Sequence, residues 1–219
     1  MTSLAPKPLL RGWIHAGVFP LALAAGIVLV ALAPTGRARI GAAVFAATAA
    51  LLFGTSAVYH RGRWTPKVHA VLKRLDHSNI FLIIAGTYTP FALLLLSWEQ
   101  ARILLAVVWA GAVTGVLFRV LWVDAPRWLY TPVYVALGWV AVFYFGPFLR
   151  HGGVAVVTLI AVGGLLYTLG AVVYGTRRPD PSPRWFGFHE VFHAFTVAGY
   201  TVHYVAASLI IYPAVAPVV

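Results

Sequence analysis

Five ionisable side chains fall inside or at the ends of long apolar runs: His60, Asp76, His189, His193 and His203. At the centre of a bilayer such a group costs roughly 2.5–3.5 kcal/mol on insertion scales, so each needs a chemical reason to be there. His189 and His193 stand four apart, share one face of a helix and can hold one metal ion together. A third histidine from another helix would complete three protein ligands and leave a fourth position open for water, as in a catalytic zinc site, and His60 is the candidate. The chain has no cysteine, so any metal is held by nitrogen or oxygen. Asp76 reads in two ways. Ahead of an apolar run it would be an ordinary N-cap; as a functional carboxylate it would hydrogen-bond a metal-bound water, as general base or as an orienting group. Ser56, one turn before His60 on the same face, is either a helix-packing hydroxyl or a partner for that water or for a histidine ligand.

The elements that must position these groups follow from composition. Of 219 residues, 61% are hydrophobic and 10% charged, too little polar side chain to coat a water-soluble globule. That excludes a soluble enzyme and a disordered tail protein, and the lack of cysteine excludes a secreted disulfide scaffold. The net charge is +11, but the cations sit in short connectors between apolar runs, which suits anionic headgroups rather than nucleic acid. Seven runs are long enough to cross about 30 Å of hydrocarbon: near 12–33, 40–60, 78–97, 101–121, 130–149, 154–175 and 188–211. The first has features of a signal peptide, with Arg11 ahead of it and Ala31-Leu32-Ala33 at its end, but it exceeds the usual apolar length and reads as a retained span. The expected fold is an all-α integral membrane protein, one seven-helix bundle over residues 1–219.

Twelve cations, from Lys7 and Arg11 to Arg177, Arg178 and Arg184, fall in one set of alternate connectors; four, Arg37, Arg39, Arg102 and Arg150, fall in the other. This puts the N-terminus in the cytoplasm and the C-terminus outside. With that threading, His60, Asp76, His189 and His193 all reach the cytoplasmic end. Taking His189 as zero, His193 lies near +40°, Thr196 near −20°, Tyr200 near +20° and His203 near −40°, at about 100° per residue. The five form one polar stripe that should face the interior. His203, about 15 Å beyond His193 along the helix, cannot share its metal and would hydrogen-bond across the bundle. His15, His69, His77 and His151 fall near span ends or in connectors, where a solvated role is expected, and the basic stretch 61–74 reads as a headgroup-facing connector. The Ala- and Gly-rich second span and Gly111-xxx-Gly115 read as packing faces.

As a bare pattern, His189-Glu190-Val191-Phe192-His193 is also H-E-x-x-H, in which two histidines bind zinc and the glutamate is the base of a metalloprotease. An intramembrane protease is therefore a competing reading, although no second acidic ligand follows along the seventh span. The sequence resembles the hemolysin III branch of the progestin and adipoQ receptor family. The likeness rests on Ser56-Ala-Val-Tyr-His60, on Leu75-Asp76-His77-Ser78-Asn79-Ile80-Phe81 running into Ala85-Gly86-Thr87-Tyr88-Thr89-Pro90, and on His189-Glu-Val-Phe-His193 with His203. It implies a Zn2+ ion at His60, His189 and His193, with Asp76 bearing on the zinc-bound water and Ser56 in the first motif. It implies the same N-in, C-out topology, and the short N-terminus is similar to compact bacterial members of the cell inner membrane. The position of Glu190 is not uniformly acidic in relatives, which weakens the protease reading.

Three functions follow as expectations. The first is a zinc-dependent intramembrane hydrolase of a lipid amide or ester, since zinc brings the pKa of water toward about 7 and the family resembles alkaline ceramidases in its metal pattern. Catalytic candidates are then Asp76 and Ser56, the partners are membrane lipids, and the role is membrane lipid or energetic homeostasis. The second is a non-catalytic, zinc-stabilised sensor or receptor. The third, from the family name, is a pore-forming hemolysin, the weakest physically because the interior polar residues concentrate at one end and do not form a stripe through the bilayer.

Overall fold

The computed structural model describes residues 8–213; Lys7, counted above among the cytoplasmic cations, lies outside them. The helices are α1 (Trp13–Leu32), α2 (Arg37–Arg61), α3 (Pro66–Leu95), α4 (Trp98–Leu121), α5 (Arg127–Gly138), a 3-10 segment (Trp139–Tyr144), α6 (Phe145–Thr176) and α7 (Phe188–Ile211). Among the described residues the only β pairing is an isolated bridge between Ser182 and Phe186. Large apolar side chains face outward along these helices, with Leu121 83% and Phe143 85% exposed. That would be costly in water and is ordinary where the solvent is hydrocarbon.

Among the described residues, six helical stretches are long and apolar enough to cross a membrane, and one of them, Arg127–Thr176, has 50 residues. At about 1.5 Å per residue an unbroken helix of that length would exceed two hydrocarbon thicknesses. It is interrupted at Gly153, where φ is 78° and ψ 174°, a conformation that favours glycine. The apolar runs placed at 130–149 and 154–175 meet at this residue.

α3 begins well ahead of the expected boundary at 78. Thr65 caps it, its hydroxyl oxygen accepting from the Val68 N–H at 3.5 Å, and Pro66 occupies the first turn, where a missing N–H costs nothing. Asp76 therefore does not cap a helix: it lies ten residues inside one, and the N-cap reading is withdrawn. Most of the stretch 61–74, expected as a connector, is likewise helical. Its lysines and arginines obscure the apolar pattern there because this part of α3 extends past the apolar run into charged sequence.

α2 packs on α1 and α3, α3 on α4, and α6 along α7, which also meets α1, α2 and α3. The expected packing faces are where helices approach closely. A Cβ on Gly41 would lie 2.8 Å from Pro90 Cα, a Cβ on Gly111 2.8 Å from Leu137, and a Cβ on Gly115 would collide with the Phe81 ring. These contacts hold α5 against α4, and α2 and α4 against α3, whose Phe81, Ile83, Ala85 and Phe91 are buried.

Candidate metal centre

The last turn of α2, the middle of α3 and the first two turns of α7 converge at one end of the bundle. His60 and His189 bring their Nε2 atoms within 3.3 Å, and one ligand atom from each of His60, His189 and His193 lies within 4.8 Å of the other two. The Asp76 carboxylate stands 3.8 Å from His60 Nε2 and lines one cavity with Ser56. The polar stripe of α7 faces inward as its spacing requires: His189, His193, Thr196, Tyr200 and His203 are all buried.

This donor set fits a zinc ion. Two nitrogens about 2.0–2.1 Å from a tetrahedral zinc are about 3.3–3.4 Å apart, which matches the separation of the His60 and His189 nitrogens. His193 Nδ1 is buried with no hydrogen-bond partner, an arrangement that is costly unless something else engages the ring.

A fourth histidine lies in the same place. His15 is buried, its ring stacked on His193 with centroids 3.8 Å apart and planes 3° from parallel. Its Nδ1 is 2.8 Å from Ser56 Oγ. The solvated role expected of His15 is wrong, and so is that of His77, which is buried with Nδ1 2.6 Å from the Lys73 carbonyl and Nε2 3.3 Å from the Tyr174 hydroxyl. Tyr174 in turn hydrogen-bonds Tyr130 at 3.0 Å and packs on the His189 ring. Counting depth along the chain would have found His15, because a residue near the start of α1 lies level with the end of α2. His151 is exposed, as expected, and pairs with the Leu95 carbonyl at 2.8 Å.

The segment ahead of α1 is pinned over this end. The Leu9 and Leu10 N–H groups donate to the Arg184 and Trp185 carbonyls at 2.9 and 3.1 Å. Gly12 has φ 79°, and a Cβ there would lie 2.5 Å from His60 Cβ, so only glycine lets the chain enter α1 at this point. Arg11 forms an ion pair with Glu190. The other Glu190 oxygen accepts the Gly187 N–H at 2.9 Å, so the carboxylate closes the N-terminus of α7 and binds the segment ahead of α1. Both of its oxygens are engaged away from the histidines, which removes the physical basis of the H-E-x-x-H protease reading. On the outer surface of the same end, Lys73 lies 2.8 Å from Asp124 and holds its carboxyl below the ordinary carboxylate value.

From the histidines a cavity of about 140 Å3 runs into the bundle. At the histidine end it is lined by Ser56, Asp76, His189 and His193, and at the other by Phe91 and Phe148. Asp76 and Phe91 are separated along α3 by about 22 Å of helical rise. The walls between are chiefly apolar, with Ile80, Ile83 and Ile84 among them. His203 lines it too, its Nε2 3.1 Å from the Ile160 carbonyl on α6, which is the cross-bundle hydrogen bond expected of it.

Residues 4–204 match the protein family described as Haemolysin-III related. The chain is 29% identical over 202 residues to Hemolysin-3 of Bacillus cereus, covering 91% of this chain and 89% of that protein. It is 31% identical over 156 residues to the Hemolysin-3 homolog of Bacillus subtilis (strain 168), covering 71% and 70%.

Proposed function

The chain belongs to the Haemolysin-III related family of multi-pass bacterial membrane proteins, and from that footing we propose that it is a zinc-binding protein of membrane lipid homeostasis that hydrolyses a lipid amide within the bilayer. The observation that carries the proposal is the junction of three histidines and a carboxylate with a narrow apolar cavity. A polar head placed at the histidines would leave its acyl chain along the Ile80, Ile83 and Ile84 wall. The proposed topology is seven crossings of one bundle, the long stretch 127–176 crossing twice about Gly153, with the N-terminus cytoplasmic and the C-terminus outside.

His60, His189 and His193 would hold the ion. When bound, zinc supplies a Lewis acid that brings the pKa of water toward about 7. Asp76 takes the proton of the attacking water as its oxygen bonds to the amide carbon, and returns that proton to the nitrogen as the C–N bond breaks, releasing a fatty acid and an amine. Ser56, held by His15, would orient the Asp76 carboxylate. The buried surroundings exclude bulk water from the exchange.

The test is metal content by mass spectrometry, with hydrolysis of an N-acyl lipid in nanodiscs, for wild type, His60→Ala, His189→Ala, His193→Ala and Asp76→Asn. One zinc per chain is expected, lost from each histidine variant and retained by Asp76→Asn, whose turnover falls by about 100-fold or more. Zinc retained with no turnover in wild type would favour the non-catalytic sensor, with the ion tying α2 to α7. A wild type without metal would refute the centre itself.

A further inference from the structure

The zinc centre does not account for the middle of the cavity. His203 lies about 15 Å along α7 from His193, too far to join its ligand set. Since the Ile160 carbonyl can only accept, the bonded Nε2 of His203 carries the proton, and in the neutral ring Nδ1 is left as an acceptor. That Nδ1 is buried and has no partner; nor has the Tyr167 hydroxyl, also buried, on the facing helix. The two rings lie 5.5 Å apart by centroid, and both residues line the cavity. Nearby, the Tyr200 hydroxyl is also buried without a partner, whereas Trp139 and Thr168 are satisfied. Trp139 donates to Thr168 at 2.9 Å, and Thr168 donates to the Gly164 carbonyl at 2.8 Å.

Each ring is seated against a glycine of the opposite helix. A Cβ on Gly163 of α6 would run into the His203 ring, and one on Gly199 of α7 would lie 3.1 Å from the Tyr167 ring. Two helices thus give up side-chain volume to accommodate two polar rings, each with one polar atom that bonds to nothing. An unmet buried polar atom is costly, and two in one cavity wall mark a place where a ligand atom is expected.

We propose that Tyr167 and His203 form a second polar station in the cavity, which takes a hydroxyl group carried partway along a lipid chain whose polar head lies at the three histidines. This rests on the reading that the cavity takes such a chain. A hydroxyl donates to His203 Nδ1 and accepts from Tyr167; a methylene satisfies neither. The station would therefore select hydroxylated chains over plain ones, and by position, because its distance from the histidines is fixed by α7.

The experiment is equilibrium binding to the full chain in nanodiscs, using octadecanoic acid and a series in which one hydroxyl is moved stepwise along the chain. The expected result is a maximum for a mid-chain hydroxyl, roughly tenfold tighter than the plain acid. In Tyr167→Phe that maximum disappears while the plain acid binds as before; this variant removes an oxygen that has no partner, so the fold is left intact. Equal affinity across the series, or a preference that survives Tyr167→Phe, would overturn the station and leave the chain-binding reading standing. If no acid binds at all, the chain-binding reading fails and the station with it.

Discussion

Glu190→Gln separates a structural glutamate from a catalytic one. The wild-type carboxylate is 1% exposed and its partner Arg11 18%. Breaking a buried ion pair from one side costs about 3–5 kcal/mol, mostly from the charge left behind. Because Arg11 keeps some access to water, the cost falls at or just below the lower end of that range, about 2–3 kcal/mol. The amide oxygen of glutamine can still accept from the Gly187 N–H, so the cap is retained; Glu190→Ala should cost about 1 kcal/mol more. For a chain of this size each kcal/mol moves Tm by about 2–4 °C, so Glu190→Gln should melt roughly 5–10 °C below wild type, followed by tryptophan fluorescence in detergent. Zinc content of the folded fraction should be unchanged. An Arg11→Leu, Glu190→Gln double variant should lose clearly less than the sum of the two singles, since each removes the same pair. Unaltered Tm together with lost turnover would refute this reasoning and restore Glu190 as a base.

Two further outcomes follow from other contacts. Tyr88 donates to the Gly138 carbonyl at 2.6 Å and accepts from the Ala141 N–H at 2.7 Å, bridging α5 to the 3-10 segment; Tyr88→Phe should lower stability by about 1–3 kcal/mol, seen as a fall in Tm without loss of metal. His15→Phe keeps a ring against His193 but drops the bond to Ser56, so zinc content should persist while amide turnover falls by about tenfold or more, checked by parallel metal and hydrolysis assays.

Depth and rotation could be read along the chain, and for α7 both are right: the stripe from His189 to His203 is buried as its spacing requires, and His60 meets it at the expected level. Asp76 was placed at the right depth for the wrong local reason, because Lys67, Lys73 and Arg74 conceal the first turns of α3. What periodicity does not contain is which helix lies beside which. The stacking of His15 on His193, and the edge-on contact of Tyr174 with His189, depend on α1 and α6 flanking α7. The role of Glu190 was undecidable for the same reason, as its partner Arg11 is 179 residues away in the chain.

That separation also sets an order in time. One histidine of the cluster is on α2 and two are on α7, and the segment that covers them precedes α1. A polypeptide emerging from the ribosome therefore inserts most of its helices before the cluster can exist. A product truncated before α7 carries one of the three histidines, with Arg11 lacking its glutamate and His15 lacking its stacking partner. If the proposed ion binds at this cluster, its capture must wait until α7 has been made and inserted, so loading with metal would double as a record that synthesis had passed His193.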